Sequence, residues 1–331
     1  MPVFCHNPAE AATRLRGGQL VAFPTETVYG LGADATNPLA VARIFEAKQR
    51  PAFDPLIVHI ASPDQLGTIV TSCPPIARQL AAAFWPGPLT LVLPRKPCIP
   101  DIVTSGLPGV GVRIPAHALA LEMLRLAGCP VAAPSANPFG RISPTTAQHV
   151  FDGLGDQVDC ILDGGPCLVG VESTVISLMD QHPVLLRHGG CPLEQIERTI
   201  GRIEVAQPVP GADHSAQPAP GMLTRHYAPG TRLLLVPHHE TARPLPGLRC
   251  GLLSEGSRRW ESGFDRIELL CDTCDLRSCA AGFFAALRTL DSAELDVIIA
   301  HQFPDRDLGL ALNDRLNRAA AGSSDQEVAW S

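Results

Sequence analysis

The stretch FPTETVYGLGADA, residues 23–35, places three consecutive polar residues and two closely spaced glycines after a short apolar run. An ordinary turn needs only one Gly and one capping side chain. The stretch therefore predicts polar side chains presented to a ligand, namely Thr25, Glu26, Thr27 and Tyr29. Gly30-x-Gly32-x-x-Ala35 also matches a relaxed dinucleotide-binding pattern. The first glycine lies too far from the strand, and Asp54 precedes the next strand instead of ending it, so the match is weak.

A second group of reactive side chains lies in EAKQRPAFDPLIVHI, where Lys48 and Arg50 close a helical pattern and His59 ends a strand pattern. Of the 26 basic residues, 24 are Arg, so the lysine at position 48 is an unusual choice. The compact ammonium group of Lys48 next to the bidentate guanidinium group of Arg50 is a pairing that suits a polyphosphate. The alternatives are a helix-dipole complement for the two cations and a buried core position for His59.

Small polar side chains recur at later strand ends and turns, and two arginines accompany them. These are Ser135, Asn137, Ser143, Ser173, Arg113 and Arg187. Each small residue alone would be an ordinary cap or turn residue. Together they predict a cleft for an anionic ligand with several hydrogen-bonding groups. No motif for a covalent nucleophile accompanies them.

The cysteine-rich stretch CDTCDLRSC, with Cys271, Cys274 and Cys279, raises the question of zinc. A structural zinc site needs a second pair at a suitable spacing, and Cys250 alone lies nearby. Packing cysteines on a turn are the preferred interpretation, and we expect no metal site.

The elements that must position these residues alternate between strand and helix patterns, which predicts an α/β fold with a mixed sheet. Strands are predicted at 19–23, 56–60, 89–93, 110–114, 130–134 and 174–178, and then at 232–236, 250–254, 266–270 and 296–300. Helices are predicted at 38–48, 75–84, 118–126, 145–151, 276–290 and 308–320. The Pro-rich stretch between the two series predicts a catalytic domain at 1–204, a linker or lid at 205–230 and a small α/β domain at 231–331.

The charge distribution limits the classes of partner. Residues 1–205 carry 14 basic and 17 acidic side chains and residues 206–331 carry 12 and 16, within a net charge of −7. No polybasic region exists, so we expect no extended nucleic-acid binding. No apolar run is long enough for a membrane helix and no leader pattern begins the chain, which predicts a cytoplasmic protein with reduced cysteines.

Read in order, PTETVYGLG, KQRPxxxPLIVHI, WPGPLTLVL, VRIP, PSANPFGRISPT, ESTVI and LLRHGG resemble the YrdC-like family. PGMLTRHYAP and the small domain after it resemble the family's long form. The resemblance implies a twisted mixed-sheet domain with a concave ligand cleft, followed by a smaller Rossmann-like domain. It also implies a nucleotidyltransferase that makes L-threonylcarbamoyl-AMP from L-threonine, bicarbonate and ATP, with Mg²⁺ accompanying ATP. The product would supply the threonylcarbamoyl-transferase machinery that modifies tRNAs reading codons that begin with A.

Matching positions imply a threonine-binding set: Thr27, His59, Arg113, Ala133 and Ser173. They imply an ATP-binding set as well: Arg50, Asp54, Gly109, Ser135, Asn137, Ser143, Arg187 and Tyr227. Lys48 and Arg50 would be catalytic through positioning and charge stabilisation. The glycines after PTET would let the backbone approach the ligand.

Two residues depart from the family pattern, because Asp54 stands where Asn is usual and Gly109 where Thr is usual. Two other functions remain open at this point. One is a non-catalytic RNA-binding or regulatory relative, which the charge balance disfavours. The other is a carbamoyltransferase module, which would need a further domain.

Overall fold

The computed structural model describes residues 1–207, 217–256, 262–271 and 275–321. The chain divides into two compact units. The first comprises Met1–Phe139, Ser143–Leu168 and Glu172–Leu223, and the second comprises Gly140–Ile142, Val169–Val171 and Thr224–Ser331. The division falls within the predicted 205–230 linker.

The first unit is built on an 11-stranded mixed sheet with the order β1-β8-β2-β3-β7-β4-β6-β5-β9-β10-β11. Its strands are β1 (Val3–Cys5), β2 (Val21–Phe23), β3 (Gly30–Asp34), β4 (Ile57–His59), β5 (Leu89–Pro94), β6 (Gly109–Arg113), β7 (Val131–Ala132), β8 (Cys160–Leu162), β9 (Thr174–Ser177), β10 (Val184–Arg187) and β11 (Glu204–Val205). Its helices are α1 (Pro8–Arg16), α2 (Pro38–Lys48), α3 (Leu66–Ile69), α4 (Pro75–Phe84), α5 (Asp101–Thr104), α6 (Ala118–Ala127), α7 (Ala147–Leu154) and α8 (Leu193–Ile200).

Apolar clusters cover both faces of this sheet. Val21 and Phe23 belong to one cluster and Ala22 to the other, because successive residues of a strand point to opposite faces. The same alternation separates Val131 from Ala132. Strands buried on both faces explain the near-continuous apolar runs of the sequence.

The capping residues at the two ends of helix α2 fix the position of the charged residues at its C-terminal end. The Asn37 side chain caps its N-terminus by accepting hydrogen bonds from the amides of Leu39 and Ala40. At the other end Gln49 adopts a left-handed conformation with φ 52°. This turn ends the helix, and Lys48 is buried.

The described part of the second unit contains a four-stranded parallel sheet in the order β12-β15-β13-β14, with two helices. Its elements are β12 (Arg232–Val236), β13 (Cys250–Ser254), β14 (Arg266–Leu269), α9 (Leu276–Asp291), β15 (Val297–His301) and α10 (Leu308–Ala320). The α/β class is confirmed in this unit as in the first. The Rossmann-like connection of this domain stays a prediction.

Every predicted strand and helix is present, with bounds shifted by a few residues at most. The sequence patterns missed β1, β3, β8, β10 and β11. β1, β8 and β10 are three or four residues long, and β11 has two; because β2, β4 and β7 are equally short and were predicted, length alone does not explain the difference. Strand β3 contains Gly30 and Gly32, and the close approach of their backbone to a ligand stays a prediction.

The prediction that Tyr29 is presented to a ligand is wrong. Its ring is fully buried, and its hydroxyl donates to the Gly165 carbonyl at 2.8 Å and accepts from the Gly164 amide at 3.2 Å. Burial raises the pKa of this phenol above its usual range. Tyr29 therefore fixes the loop at 164–165 from inside the core.

The glycines of β3 also have a packing role. A Cβ on Gly32 would lie 2.9 Å from the Phe23 ring and 2.9 Å from a Val131 methyl. A Cβ on Gly30 would lie 3.3 Å from Ala133. The glycines thus make room for Phe23 and for β7.

Within the described ranges, no helix combines the length and the apolar character that a membrane crossing requires.

This packing yields a stability prediction. Gly32→Ala should lower the free energy of unfolding by about 1–3 kcal/mol, because the new methyl group must displace Phe23 or Val131. Urea denaturation measures the change. Gly67→Ala is the matched control, because no atom lies within 4 Å of its Cβ position in α3. Equal midpoints for both variants would contradict the packing explanation.

Candidate active site of the first unit

The centre of the site is the guanidinium group of Arg113 at the end of β6. Its Nη1 donates to Thr27 Oγ1 at 2.9 Å and its Nε donates to the Gly87 carbonyl at 3.2 Å. Its Nη2 forms an ion pair with Glu26 Oε1 at 2.7 Å. Arg113 is only 4% exposed and Glu26 only 6% exposed. Nε and Nη1 therefore each donate a hydrogen bond to the protein, whereas Nη2 is held by the ion pair alone, without a hydrogen bond among the described residues.

The PTET loop orients its own side chains. Thr25 Oγ1 accepts hydrogen bonds from the amides of Thr27 and Val28 and donates to the Val28 carbonyl at 2.7 Å. This local closure directs Glu26 and Thr27 toward Arg113. The second carboxylate oxygen of Glu26 accepts from the Ala116 amide at 2.9 Å, which joins the loop to the residues after β6.

His59 lies beside Arg113, because β4 pairs with β6 in a register that matches these two residues. Burial and the neighbouring Arg113 charge lower the pKa of His59 to about 3. The ring packs edge to face on Phe23, with centroids 5.7 Å apart. His59 is thus a neutral imidazole whose Nδ1 has no hydrogen-bond partner among the described residues.

Further polar side chains lie level with Arg113 on strand β5 and just before strand β9. Strands β5 and β6 are antiparallel and Leu91 lies opposite Val112. Thr90 in β5 therefore lies opposite Arg113. The Thr90 hydroxyl is 2.8 Å from the Ser173 hydroxyl, immediately before β9. Strands β4, β6, β5 and β9 therefore bring His59, Arg113 and Ser173 to one edge.

Ala133 lies beyond β7 and donates its amide to the Ile57 carbonyl at 2.8 Å. It is buried, and its predicted contact with threonine stays a prediction.

Lys48 lies under the loop that contains Ser135 and Asn137. Its Nζ donates to the Ser135 carbonyl at 2.5 Å and to the Asn137 carbonyl. It is 1% exposed, and burial, reinforced by Arg50, holds the pKa of the ammonium group well below its usual range. The observed contacts of Lys48 anchor this loop, so its predicted direct action on ATP stays a prediction.

Arg50 and Asp54 form a buried ion pair, with Nη2 and Oδ2 2.9 Å apart. Arg50 also donates to the carbonyls of Asp54 and Pro55. Burial raises the pKa of the Asp54 carboxyl, although the charges of Arg50, Lys48 and Arg187 act in the opposite direction. Three cations therefore surround one carboxyl group.

Arg187 forms hydrogen bonds with Ser173, the residue immediately before β9. It donates to the Ser173 carbonyl at 2.8 Å and to the Ser173 hydroxyl at 3.3 Å. Ser143, fully buried, donates to Glu172 Oε1 at 2.5 Å. A Cβ on Gly189 would lie 2.3 Å from Glu172 O, so only glycine allows the LLRHGG segment to approach so closely.

The segment 217–223 lies on the same unit. The Pro220 carbonyl accepts from Arg187 Nη1 at 2.8 Å, and the Gln217 amide donates to the Phe53 carbonyl at 3.2 Å. Ala219 packs against Val92 and Val175. This described part of the predicted linker therefore contacts the predicted ATP-binding set.

Gly109 borders a cavity of about 10 Å³ between the strands and Pro218–Pro220. This volume suits at most one water molecule. A Cβ on Gly109 would also lie 2.8 Å from Met179 Sδ. In this structure Gly109 is a packing residue, and its predicted contact with ATP stays a prediction.

Tyr227 belongs to the second unit, where it is 1% exposed. Its ring packs 5.8 Å from that of Phe284, and the Arg315 guanidinium lies 5.1 Å from its centroid. Its φ of 60° is unusual for an aromatic residue. The predicted contact between Tyr227 and ATP stays a prediction.

Thr90 and Glu172 were not predicted, although they contact members of the binding sets. Glu26 was predicted to face a ligand but was assigned to neither binding set. Thr90 is the one polar residue of the run LTLVL, and such an interruption is a signal that sequence reasoning could have used. The partner of Glu26 lies 87 residues away in sequence, beyond the reach of any spacing rule.

No group of three or more His, Cys, Asp or Glu side chains within the described ranges could hold a metal ion.

Comparisons with known proteins agree with this arrangement. The family model of Sua5, YciO and YrdC, described as "Telomere recombination", matches residues 13–189. The model described as "Threonylcarbamoyl-AMP synthase, C-terminal domain" matches residues 191–321. Together they account for both units.

The chain is 47% identical to the threonylcarbamoyl-AMP synthase of Pyrococcus abyssi, over 94% of this chain and 93% of that protein. It is 45% identical to the Bacillus subtilis protein of the same name, over 95% and 93%. The crystal structure of P. abyssi Sua5 with L-threonine superposes with a TM-score of 0.88 at 42% identity, covering 97% of this chain and 98% of that one. The chain therefore belongs to the Sua5/YciO/YrdC family, among its two-domain threonylcarbamoyl-AMP synthases.

Proposed function

We propose that this protein makes L-threonylcarbamoyl-AMP from L-threonine, bicarbonate and ATP and releases pyrophosphate. The observation that carries the proposal is the buried arrangement of Arg113, Thr27 and His59, in a chain whose P. abyssi relative was solved with L-threonine. The product would supply the tRNA threonylcarbamoyladenosine machinery in the cytoplasm.

Arg113 is the proposed ligand of the threonine carboxylate, since a guanidinium fork matches a carboxylate in shape and charge. Glu26 holds the fork in place and offsets its charge. Threonine enters as a zwitterion, so a site that holds one cation and one anion matches both of its charged ends. Thr27 and neutral His59 would bind its polar groups without adding net charge.

The cations around Asp54 are the proposed ATP site. Lys48, Arg50 and Arg187 outnumber the two carboxyl groups of the proposed site, Asp54 and Glu172, so the cluster has the excess positive charge that a triphosphate requires. Ser135, Asn137 and Ser143 lie on loops that Lys48 and Glu172 hold, and their proposed role is hydrogen bonding to the nucleotide.

The chemistry proceeds without a protein nucleophile. The threonine amine, after losing a proton, attacks the carbon of bicarbonate-derived carbon dioxide to form a carbamate. A carbamate oxygen then attacks the α-phosphorus of ATP, the bond to the β-phosphate oxygen breaks, and pyrophosphate leaves with the electron pair. The protein's contribution is alignment and stabilisation of negative charge.

Mg²⁺ is the proposed companion of ATP. Because it keeps several waters and binds through substrate phosphates with one or two carboxylates, it needs no cage made by the protein alone. Asp54 would hold the ion, because both of its carboxylate oxygens are buried without a hydrogen bond among the described residues. The ion would supply neutralisation of phosphate charge.

The direct test is an assay of pyrophosphate release with mass spectrometry of the product. We expect release that requires threonine and bicarbonate together, with threonylcarbamoyl-AMP as the adenylate. Release that is indifferent to either substrate, or a product lacking the threonylcarbamoyl group, would refute the proposal.

Arg113→Lys tests the threonine site. Lysine cannot contact Gly87, Thr27 and Glu26 together, so KM for threonine should rise about 10- to 100-fold, the scale of roughly 1.5–3 kcal/mol for charged hydrogen bonds. KM for ATP should stay within about twofold, since this residue lies outside the cation cluster. Arg95→Lys is the control, because Arg95 contacts Asp101 and the carbonyls of Ile99 and Leu107. An unchanged threonine KM in Arg113→Lys would remove Arg113 from the binding set.

Lys48→Met tests the anchoring of the loop at 135–137. Activity should fall about 10²- to 10³-fold, the scale of losing one group that maintains a charge-stabilising site. Amide hydrogen exchange of the loop should accelerate as well, which a lost phosphate contact alone would not cause. The control is Lys96→Met, the only other lysine of the chain. Full activity of Lys48→Met would contradict the assignment.

The pKa of Lys48 gives a further expected result. The folded protein releases this proton below the ordinary lysine value of 10.5, so the unfolded chain binds more protons between the two pKa values. The contribution of Lys48 to the free energy of unfolding therefore rises with pH in that window. The difference between wild type and Lys48→Met, measured by urea denaturation from about pH 7 to about pH 10, should move in favour of wild type. A constant difference would show that the ammonium group is not desolvated.

A further inference from the structure

Two pairs of cysteine thiols lie almost in contact in the described parts of the protein. Cys5 and Cys160 are 3.2 Å apart between their sulfur atoms, and Cys271 and Cys279 are 3.1 Å apart. The first pair is in the sheet of the first unit and the second pair is in the second unit. Neither pair takes part in the proposed reaction.

The strand register excludes a bond in the first pair. Strands β1 and β8 match Val3 with Cys160 and Cys5 with Leu162, so the two cysteines are offset by two residues. With about 3.3 Å per residue and about 4.8 Å between strands, their Cα atoms lie roughly 8 Å apart. A disulfide needs less than about 7 Å, and both strands are fixed by their ladder.

The second pair, Cys271 and Cys279, is not held apart by a strand ladder. Cys271 is half-buried and lies just beyond β14, outside the strand ladder. Cys279 is fully buried in the first turn of α9. Gly282 lies one turn further along α9, where a Cβ would meet a Leu270 methyl at 3.6 Å and its carbonyl at 3.7 Å. The Leu270 amide in turn donates to Ser254 O at 3.0 Å. The helix is thus held against the residue that precedes Cys271.

We propose that Cys271 and Cys279 are a reversible oxidation site that closes to a disulfide when the protein meets a hydroperoxide. Cys271, the thiol with access to solvent, takes one oxygen atom from the peroxide to become a sulfenic acid, and the peroxide leaves as water or an alcohol. The Cys279 sulfur then attacks the Cys271 sulfur, the S–O bond breaks, and water leaves with the Cys279 proton. Burial and the neighbouring Cys271 raise the pKa of Cys279, which disfavours Cys279 as the thiol that reacts first with the peroxide.

Peptide mapping of the full chain distinguishes the alternatives. Trypsin cuts after Arg266, Arg277 and Arg288, so Cys271 and Cys279 fall on separate peptides, IELLCDTCDLR and SCAAGFFAALR. After treatment with hydrogen peroxide and blocking of free thiols, we expect these peptides to be joined and to separate on reduction. The Cys5 and Cys160 peptides should remain unlinked, with about a tenfold or larger difference between the two pairs.

Cys274 lies outside the described residues and shares a peptide with Cys271, so Cys274→Ser is the control. The joined peptides should persist in that variant and disappear in Cys271→Ser. In Cys274→Ser/Cys279→Ser, dimedone should label Cys271 as the trapped sulfenic acid. Exposed Cys98 reports that the oxidant acted. Oxidation of Cys98 without the joined peptides, or a bond within IELLCDTCDLR instead, would overturn the proposal.

Discussion

The site depends on burying its cations while keeping each one bound to acceptors of the protein. Lys48, Arg50, Arg113 and Arg187 are each no more than 7% exposed. A buried charge without partners would be strongly destabilising. Arg113 and Arg50 form ion pairs with carboxylates, and Lys48 and Arg187 donate hydrogen bonds to backbone carbonyls.

These contacts also determine the loop structure. Arg113 and Glu26 fix the PTET loop, Lys48 fixes the loop at 135–137, and Arg187 fixes the start of β9. The site is therefore organised before a ligand arrives, and catalysis that relies on alignment benefits from such preorganisation. In the proposed reaction, the substrates add anions to cations that are already oriented.

Much of this could be predicted from the sequence. Alternating strand and helix patterns located ten strands and six helices, because apolar runs and helical periodicity are local in sequence. The polar residues at strand ends and turns were also predicted to form a set, because several small hydroxyl and amide groups with two arginines suit a cleft for an anionic ligand. The resemblance to a family then assigned ligands to them, and those individual contacts stay predictions.

The predictions that failed, or that could not be made, concern residues whose contacts lie far away in the sequence. Tyr29 belongs to a polar stretch, yet its hydroxyl partners lie 135 and 136 residues away and take it into the core. Gly32 fits a turn equally well until Phe23 and Val131 are seen beside it. The link between Glu26 and Arg113 follows from the pairing of strands that no local pattern specifies.

Preorganisation of the site is tested most directly by crystal structures determined without ligands and with L-threonine plus a non-hydrolysable ATP analogue. We predict that the Glu26–Arg113 ion pair, with its separation of 2.7 Å, persists in both, and that the threonine carboxylate binds the N–H groups of the guanidinium that the protein leaves without a hydrogen bond. If Glu26 instead leaves Arg113 when threonine binds, so that the amino acid replaces it, the cation is not held in advance and preorganisation is contradicted.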